Sequence, residues 1–327
     1  MQASDLERPI MVAAWPGMGH VALTAAYYLM AKLEMKMLVE YQATELFDVD
    51  HVAVNKGLVQ PFRYPKSQFF GWKNPGDGPD MILFIGEAQP PLGRYNFCRK
   101  LIDYAQQMAV SKVVTFAAFA TNIGLSDQGR VVAAAIDHET LGRLVEKEVH
   151  LLSGGNVSGM NGILLGVAAE RHMSGGCLLG ELPHMFAGVP YPKASLNVLQ
   201  MFSKLTDLEI DLSELVLEAD RIQQHLTEAV SQLKHLEQRA GQHPESEEET
   251  FLPDPLDVGK LSEEDQARLD LLFGEAELDR SKAYELKRLL DELGVFREYE
   301  DRFLDLFTFD DETKDQEPPF GGPEDAS

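Results

Sequence analysis

Two glutamates stand where a pair of carboxylates could perform acid–base chemistry. Glu87 follows apolar residues in FIGEAQPP, and Glu181 does so in LLGELPH. Runs of this kind are typical of buried strands, so both acids could lie at the carboxyl edge of one sheet, where α/β proteins bind ligands. Unequal burial would then separate their pKa values into an acid and a base. In the alternative interpretation, which we favour, each acid caps a helix or pairs with Arg94 or Lys193.

A glycine-rich turn offers a second kind of chemistry, the binding of a nucleotide phosphate. Gly17-x-Gly19-x-x-Ala22 lies between an apolar run and a helical pattern, and Glu40 follows about 20 residues later, as in the dinucleotide fingerprint. Against this, Pro16 removes one backbone amide that a phosphate would use. The GxxxxGK[ST] phosphate-loop pattern is also missing from the chain.

Other reactive residues form no recognisable constellation. The nine histidines do not occur in HExxH spacing, and Cys98 and Cys177 are isolated, so we expect no metal, no disulfide and two buried thiols. Ser158 lies in GGNVSGMNG without the flanking pattern of a hydrolase nucleophile. The glycines of that loop could let the backbone approach a ligand, or could serve a tight turn into a helix.

Charge and hydropathy exclude further classes of function. The net charge of −24 argues against nucleic acid as a partner. Residues 1–203 carry 18 acidic and 16 basic side chains, whereas residues 204–327 carry 35 and 13, so the acidity belongs to the C-terminal part. No apolar run approaches the roughly 20 residues that cross a bilayer, and the polar N-terminus does not resemble a secretion signal. We therefore expect a cytoplasmic protein without membrane contact.

The elements that must position these residues alternate along the first two thirds of the chain. Apolar runs predict buried strands, and the segments between them have helical spacing. This alternation predicts an α/β domain at 8–211, with a mostly parallel sheet covered on both faces. Residues 50–73 break the rhythm and predict an antiparallel hairpin or edge excursion with exposed aromatic side chains. The predicted strands are 10–15, 37–41, 81–86, 112–119 and 177–182, and the predicted helices are 20–33, 92–108, 141–149, 162–172 and 194–205.

The sequence of the C-terminal third predicts helices joined by acidic segments. An apolar stripe predicts a long amphipathic helix at 212–240, which either packs back on its own domain or offers a surface to a partner helix. We then expect an acidic linker at 241–260, a helical extension at 261–309 that begins at a capping box on Ser262, and a disordered acidic tail at 310–327. The stripe includes Leu212, Leu215, Ile222, Leu226, Leu233 and Leu236.

Taken together, several motifs resemble one known family. The segments WPGMGHV, FIGEAQPPLGRYNFCRKLIDYA, KVVTFAAFAT, SGMNGILLGVAAER and CLLGELPHMFAGVPYPKASLNVL occur in the order expected of the PAC2 family, the proteasome-assembly-chaperone-like proteins. The resemblance runs from about residue 9 to residue 211. It implies a three-layer αβα sandwich related to the nucleoside phosphorylases, and it implies that Gly17 and Gly19 form a turn rather than a dinucleotide cradle.

The same resemblance implies a non-enzymatic protein that acts through protein–protein contacts as an assembly chaperone or scaffold. It also implies a homo-oligomer, a trimer being one candidate, without a cofactor. Proteasome subunits are a candidate partner, although proteasome-binding relatives often end in a hydrophobic-Tyr-X tail and this sequence ends in Asp325-Ala326-Ser327.

A second hypothesis remains beside this one. The chain could instead be an enzyme or sensor for a nucleotide or nucleoside-like molecule, with a pocket at the carboxyl ends of the strands. The residues that we expect around such a pocket are Gly17, Gly19, Glu87, Thr121, Asn161 and Glu181.

Overall fold

The structure, a computed structural model, describes residues 2–41, 43–48, 52, 54–55, 57–240 and 261–308. Two of the sequence-based expectations, the acidic linker at 241–260 and the disordered tail at 310–327, lie outside these residues. So do the side chains of residues 233–240, although the backbone of the long helix continues through them.

Eight strands form one mixed sheet in the order β2-β5-β6-β1-β7-β10-β8-β9, and β3 and β4 form a separate hairpin. The four central strands β6, β1, β7 and β10 are parallel to one another, whereas β5 and β8 run antiparallel to their central neighbours. The strands are β1 Ile10–Ala14, β2 Lys36–Tyr41, β3 Val54–Asn55, β4 Leu58–Val59, β5 Ser67–Trp72, β6 Met81–Gly86, β7 Lys112–Thr121, β8 Val131–Ala135, β9 His150–Leu151 and β10 Ser174–Pro183.

All five strands predicted from apolar runs are present, and the α/β fold is confirmed. Strand β8, with the sequence VVAAA, was not predicted, because a short run of small residues beside a helical pattern carries little periodicity. The expectation of an antiparallel hairpin within 50–73 is confirmed, but the expectation that its aromatic side chains are exposed is wrong for two of them. Phe69 and Phe70 lie in β5, between β2 and β6, and are completely buried.

Helices cover both faces of the sheet. Helices α1 and α5 pack on one face, and α2 and α4 pack on the other. Helix α1 is apolar on nearly all sides because the sheet, α5 and α8 surround it. The helices of the body are α1 Val21–Lys32, α2 Arg94–Gln107, α3 His138–Glu146, α4 Gly159–Glu170 and α5 Pro192–Thr206, each within three residues of its predicted start and end.

The C-terminal helices pack on the α1 and α5 side and thicken that layer. They are α6 Ser213–Ala240, α7 Glu263–Leu278, α8 Ala283–Glu292 and α9 Phe296–Asp305. Helix α6 packs on α5, and α8 packs on α1 with the Tyr28 and Tyr284 rings in edge contact. The expected capping box is present in part, since Ser262 Oγ accepts a hydrogen bond from the Asp265 amide.

The aromatic side chains of residues 296–307 pack on α1 and on strand β5 of the sheet. Phe303 packs on the ring of Tyr27 in α1, and Phe307 packs on Phe70 in β5. The backbone carbonyl of Phe307 also accepts a hydrogen bond from the Met37 amide. Residues 296–307 therefore complete the core of the α/β body.

In the described part of the chain, none of the helices combines the length and apolar composition needed to cross a membrane.

Candidate functional site

A cleft of about 480 Å³ opens at the carboxyl ends of the central strands. The chain leaves β1 toward β2 at one edge of the sheet, and it leaves β7 toward β8 at the opposite edge. The loops that follow β1 and β7 therefore run in opposite directions and leave a gap at the carboxyl ends of these two neighbouring strands. Open α/β sheets bind ligands at such a gap. We call this space the switch cleft. It is lined by Trp15, Pro16, Gly17, Met18, Ala22, Gln89, Ala117, Ala118, Phe119, Ala120, Asn156, Val157, Ser158, Gly159, Asn161 and Leu179.

Strand β7 forms the floor of the switch cleft because it is longer than its neighbour β1. The ladder between β1 and β7 ends at the Ala13–Thr115 pair, whereas the ladder between β7 and β10 continues to Thr121–Pro183. Beyond Thr115, the edge of β7 lies beside the turn Met18–His20 instead of a strand. Residues 117–121 are consequently only half-buried, although β7 is an interior strand of the sheet.

Trp15 forms one wall, immediately after β1. Its side chain is 1% exposed and packs on Phe84, with ring centroids 5.1 Å apart. The indole lies so close to Gly86 that a Cβ at residue 86 would be 2.4 Å from Nε1. Gly86 is therefore required by the Trp15 ring, and the Nε1–H has no hydrogen-bond partner within the described structure.

The start of α4 forms another part of the lining. Gln89 fastens it to the β1 turn, because Nε2 donates to the Pro16 carbonyl at 2.9 Å and Oε1 accepts from the Met160 amide at 3.4 Å. Gly159 has a φ of 70°, which glycine adopts without the strain that a Cβ imposes. Asn161 lies in the first turn of α4, and its Oδ1 is buried without a partner among the described residues.

Of the six residues predicted around a ligand pocket, only Gly17 and Asn161 line the switch cleft. Gly19 lies just behind it with a φ of 60°, and a Cβ there would be 2.6 Å from Leu182. It forms a tight turn that packs on β10, as the family resemblance implied.

Thr121, at the end of β7, and Glu181, in the neighbouring strand β10, contact each other and are not among the residues that line the switch cleft. Thr121 Oγ1 donates to Glu181 Oε1 at 3.0 Å, and Arg130 donates to Oε2 from both its amide and its Nε, at 3.2 and 3.1 Å. Glu181 is 2% exposed. The Glu181 carboxylate is buried, is paired with the Arg130 guanidinium and accepts three hydrogen bonds in all. It is therefore a structural ion pair, in which both carboxylate oxygens already have donors.

Glu87 belongs to a third cluster, at the junction with α9. Its carboxylate accepts from Arg63 Nη2 and from the Lys66 amide, both at 2.9 Å. Arg63 and the Lys66 ammonium also bind Asp301. Burial raises the pKa of Glu87 to about 7, whereas the Arg63 guanidinium lowers the pKa of Asp301 to about 2.

These placements correct the expected partners of the two acids. Arg94 donates to the Pro90 carbonyl, and Lys193 donates to the Asp127 carbonyl. The acids pair instead with Arg63 and Arg130, each of which lies in a loop that no spacing rule connects to its glutamate. The structure therefore holds Glu87 and Glu181 in separate ion pairs instead of bringing them together.

Part of the predicted apolar stripe of α6 is buried against the core of the α/β body. Leu215 is completely buried, and Leu212 and Leu226 are half-buried against the main core. Ile222 lines a small cavity of about 100 Å³ between α1, α6 and α8. Leu233 and Leu236 have side chains outside the described residues. Within the described residues, the first half of the stripe thus packs back on the α/β body.

Sequence reasoning missed Trp15, Gln89, Arg63 and Arg130 as partners in these clusters. Gln89 lies inside the GEAQPP motif, and Trp15 opens WPGMG, so both were within quoted motifs. Among the residues that the structure describes, no group of three or more His, Cys, Asp or Glu side chains could hold a metal ion.

Comparisons with known proteins identify a matching family and several similar proteins. The sequence profile of the PAC2 family matches residues 11–230. An uncharacterised protein of Methanocaldococcus jannaschii is 25% identical over 247 residues, which are 75% of this chain and 92% of that protein.

Two solved structures from Pyrococcus furiosus are similar in fold. PbaB, described as an archaeal proteasome activator, is 28% identical with a TM-score of 0.59, and the match covers 69% of this chain and 94% of PbaB. PbaA, described as an archaeal homolog of proteasome-assembly chaperone, is 24% identical with a TM-score of 0.56, and the match covers 72% of this chain and 93% of PbaA.

Proposed function

This chain belongs to the PAC2 family, and from that premise we propose that it is a non-enzymatic, chaperone-like assembly protein that acts through protein–protein contacts. The observation that carries the proposal is the match to nearly the whole length of a relative described as a proteasome activator. The separation of the two candidate catalytic acids is consistent with it, because each acid is bound to its own arginine and the two do not form one acid–base pair.

A group of exposed apolar side chains offers a contact surface. Val52, Val54, Leu58, Val59 and Phe62 lie within eleven residues on and around the β3–β4 hairpin, and each is between 41 and 70% exposed. We call this group the apolar arm. Val54 and Val59 pair across the hairpin, and exposed apolar side chains grouped in this way favour a protein contact over solvent. We propose that the arm joins copies of the chain into a homo-oligomer, a trimer being one candidate.

The experiment compares the mass of the purified protein in solution with that of an arm variant. Leu58→Ser combined with Phe62→Ser should convert the oligomer to monomer without lowering the melting temperature, because both side chains are exposed. The matched control is Leu278→Ser, which changes a side chain that is 93% exposed outside the arm. A wild-type monomer, or an arm variant that stays oligomeric, would contradict the role of the arm.

Proteasome subunits remain the candidate partner, and binding to them has its own test. The wild-type chain and the arm variant are mixed with the 20S proteasome of the source organism and with its isolated α-subunits, and complexes are separated by native electrophoresis. Complex formation with either supports a role near the proteasome. Binding to neither would contradict a proteasome partner. The proposed function would then rest on self-association, which the mass in solution tests separately.

A further inference from the structure

We propose that Asp301, in α9, holds the apolar arm in the position from which it binds a second copy of the chain. The inference rests on the proposed self-association through the arm, and it names the residue that controls this contact. Helix α9 lies outside residues 11–230, which the family profile matches, whereas the arm lies inside them. The C-terminal extension therefore controls a contact that the PAC2 body makes.

The arm has little attachment of its own. Strands β3 and β4 pair with each other and not, in the described part of the chain, with the eight-stranded sheet. Leu58 and Val59 are 70 and 68% exposed, and Phe62 is 61% exposed. The position of the arm therefore depends on how residues 63–66, which connect it to β5, are held.

Lys66 fixes the end of this connection that is next to β5. Its amide donates to Glu87 Oε2 at 2.9 Å, and its carbonyl accepts from the Glu87 amide at 3.0 Å. Its ammonium group binds Asp301 Oδ1 at 2.9 Å and Glu40 Oε2 at 3.4 Å. Lys66 is thus held by the α/β body as well as by α9.

Arg63 fixes the other end, next to Phe62, and it binds both oxygens of Asp301. Nε donates to Oδ2 and Nη2 donates to Oδ1, both at 2.8 Å. A two-point pair of this kind fixes the direction of the guanidinium as well as its distance. Arg63 Nη2 also donates to Glu87 Oε1 at 2.9 Å, so one hydrogen bond to the body remains if Asp301 is removed.

Helix α9 gives Asp301 a rigid support. The Phe303 ring packs on the Tyr27 ring of α1 with centroids 5.8 Å apart, and the Tyr27 hydroxyl donates to Glu300 Oε1 at 2.8 Å. These contacts join α9 to α1 and do not involve Asp301. Loss of the Asp301 carboxylate therefore leaves the aromatic contacts of α9 in place and releases the connection to the arm.

An arm that is already held loses less conformational freedom on association than a mobile arm does. Without Asp301, the guanidinium of Arg63 keeps a single contact and can turn about it. Asp301→Ala should therefore weaken self-association roughly tenfold, although the apolar side chains of the arm are unchanged.

The first measurement is the dissociation constant for self-association of the full chain, from its mass in solution over a dilution series. Alanine favours a helix more than aspartate does, so Asp301→Ala does not weaken α9 through helix propensity. The matched control is Asp305→Ala, which removes a carboxylate from an exposed position of the same helix. The control should associate like the wild type.

The second measurement is the mobility of a spin label on the arm, and it does not depend on association. The label is attached at Leu58→Cys in a chain that also carries Phe62→Ser, so that the arm is disabled and the chain monomeric. Cys98 and Cys177 are buried and stay unlabelled. Adding Asp301→Ala should sharpen the resonance lines, as expected of a faster label, whereas adding the control substitution should not.

The two measurements separate the inference from the function on which it rests. Faster label motion and weaker association in the Asp301 variant, with neither in the control, would support the proposal. Unchanged label motion would overturn it whatever the mass of the chain. Faster motion with an unchanged dissociation constant would overturn the control of self-association by the anchor. A monomeric wild type would contradict the proposed function and with it that control, and the label would still decide whether Asp301 holds the arm.

Discussion

Arg63 donates two hydrogen bonds to the carboxylate of Asp301, from Nε to Oδ2 and from Nη2 to Oδ1, both at 2.8 Å. The two residues are 238 positions apart, one in the loop before β5 and the other in α9. Since Arg63 Nη2 also binds Glu87 after β6, one guanidinium joins the last helix to the carboxyl edge of the sheet. The C-terminal extension is therefore attached to the body by charge as well as by aromatic packing.

Replacing Arg63 by lysine should loosen this attachment. Lysine keeps the charge but cannot form the planar pair of hydrogen bonds, and because both partners are almost half exposed we expect a loss of roughly 1 kcal/mol in the free energy of unfolding. Hydrogen exchange of residues 296–305 should accelerate. The control Arg268→Lys changes an exposed arginine on α7. Unchanged exchange in α9 of the Arg63 variant would show that aromatic packing alone holds the helix.

Glu87 should make stability depend on pH. Its pKa is raised by burial to about 7 in the folded chain, against an ordinary value of 4.5, so between these values the folded state binds more protons than the unfolded state. The contribution of Glu87 to stability is thus complete below pH 4.5 and is lost as the pH rises through 7. Urea unfolding at pH 5, 6, 7 and 8 measures the decline.

Glu87→Gln should flatten that decline, because the amide does not titrate. Glu298→Gln, an exposed carboxylate on α9, serves as the control and should retain the slope. A Glu87→Gln profile that falls as steeply as the wild type would assign the pH dependence to other groups.

Truncating Phe303 should destabilise the whole chain and not the extension alone. Its ring is completely buried within 6 Å of the Tyr27, Phe296 and Phe307 rings. Phe303→Ala should cost about 3–5 kcal/mol, and calorimetry should show a single transition at a lower melting temperature. Leu278→Ala, at a position 93% exposed, should change stability by less than about 0.5 kcal/mol. Two separate transitions in the Phe303 variant would mean that the extension unfolds independently.

Gly86→Ala should displace the indole of Trp15, since the added methyl would lie 2.4 Å from Nε1. We expect a loss of about 1–3 kcal/mol from overpacking. The chain has two tryptophans, so the variant is made in a Trp72→Phe background, where fluorescence reports Trp15 alone. A red shift of the emission is the expected result. Unchanged emission and stability would show that the wall of the switch cleft adapts without cost.

Both cysteines should be unreactive in the native protein. Burial raises the pKa of the Cys98 and Cys177 thiols to about 12, so almost no thiolate is present at pH 8. A disulfide reagent should therefore modify them only at the rate at which the chain unfolds, whereas two thiols should react at once in 6 M guanidinium. Fast modification of either thiol without denaturant would indicate local opening of α2 or β10.

The order of elements in the α/β body follows from local pattern. Apolar runs at 10–15, 81–86, 112–119 and 177–182 predicted all four central strands, because a strand buried on both faces is apolar at most of its positions. The helices between them were predicted from the helical spacing of their apolar residues. By contrast, β5 and β8 join the sheet antiparallel to their central neighbours, and their short sequences do not distinguish a sheet neighbour from a loop.

The partners of the two candidate acids could be identified only from the tertiary structure. The carboxylates of Glu87 and Glu181 were recognisable in the sequence as residues at strand ends, but the arginines that bind them lie in loops whose course depends on the whole fold. The switch cleft likewise arises from the unequal lengths of β1 and β7, which only strand register reveals.

The sequence by itself thus determined the central strands and the helices of the body, its family motifs and the acidic character of the C-terminal third, because these depend on residues close together in the chain. Only the tertiary structure decided that α9 completes the core, that two acids are held by arginines, and that Trp15 and Asn161 line the same cleft. Those outcomes depend on contacts between residues that lie far apart in the chain, 273 positions in the case of Tyr27 and Glu300, and such contacts leave no periodic pattern in the sequence.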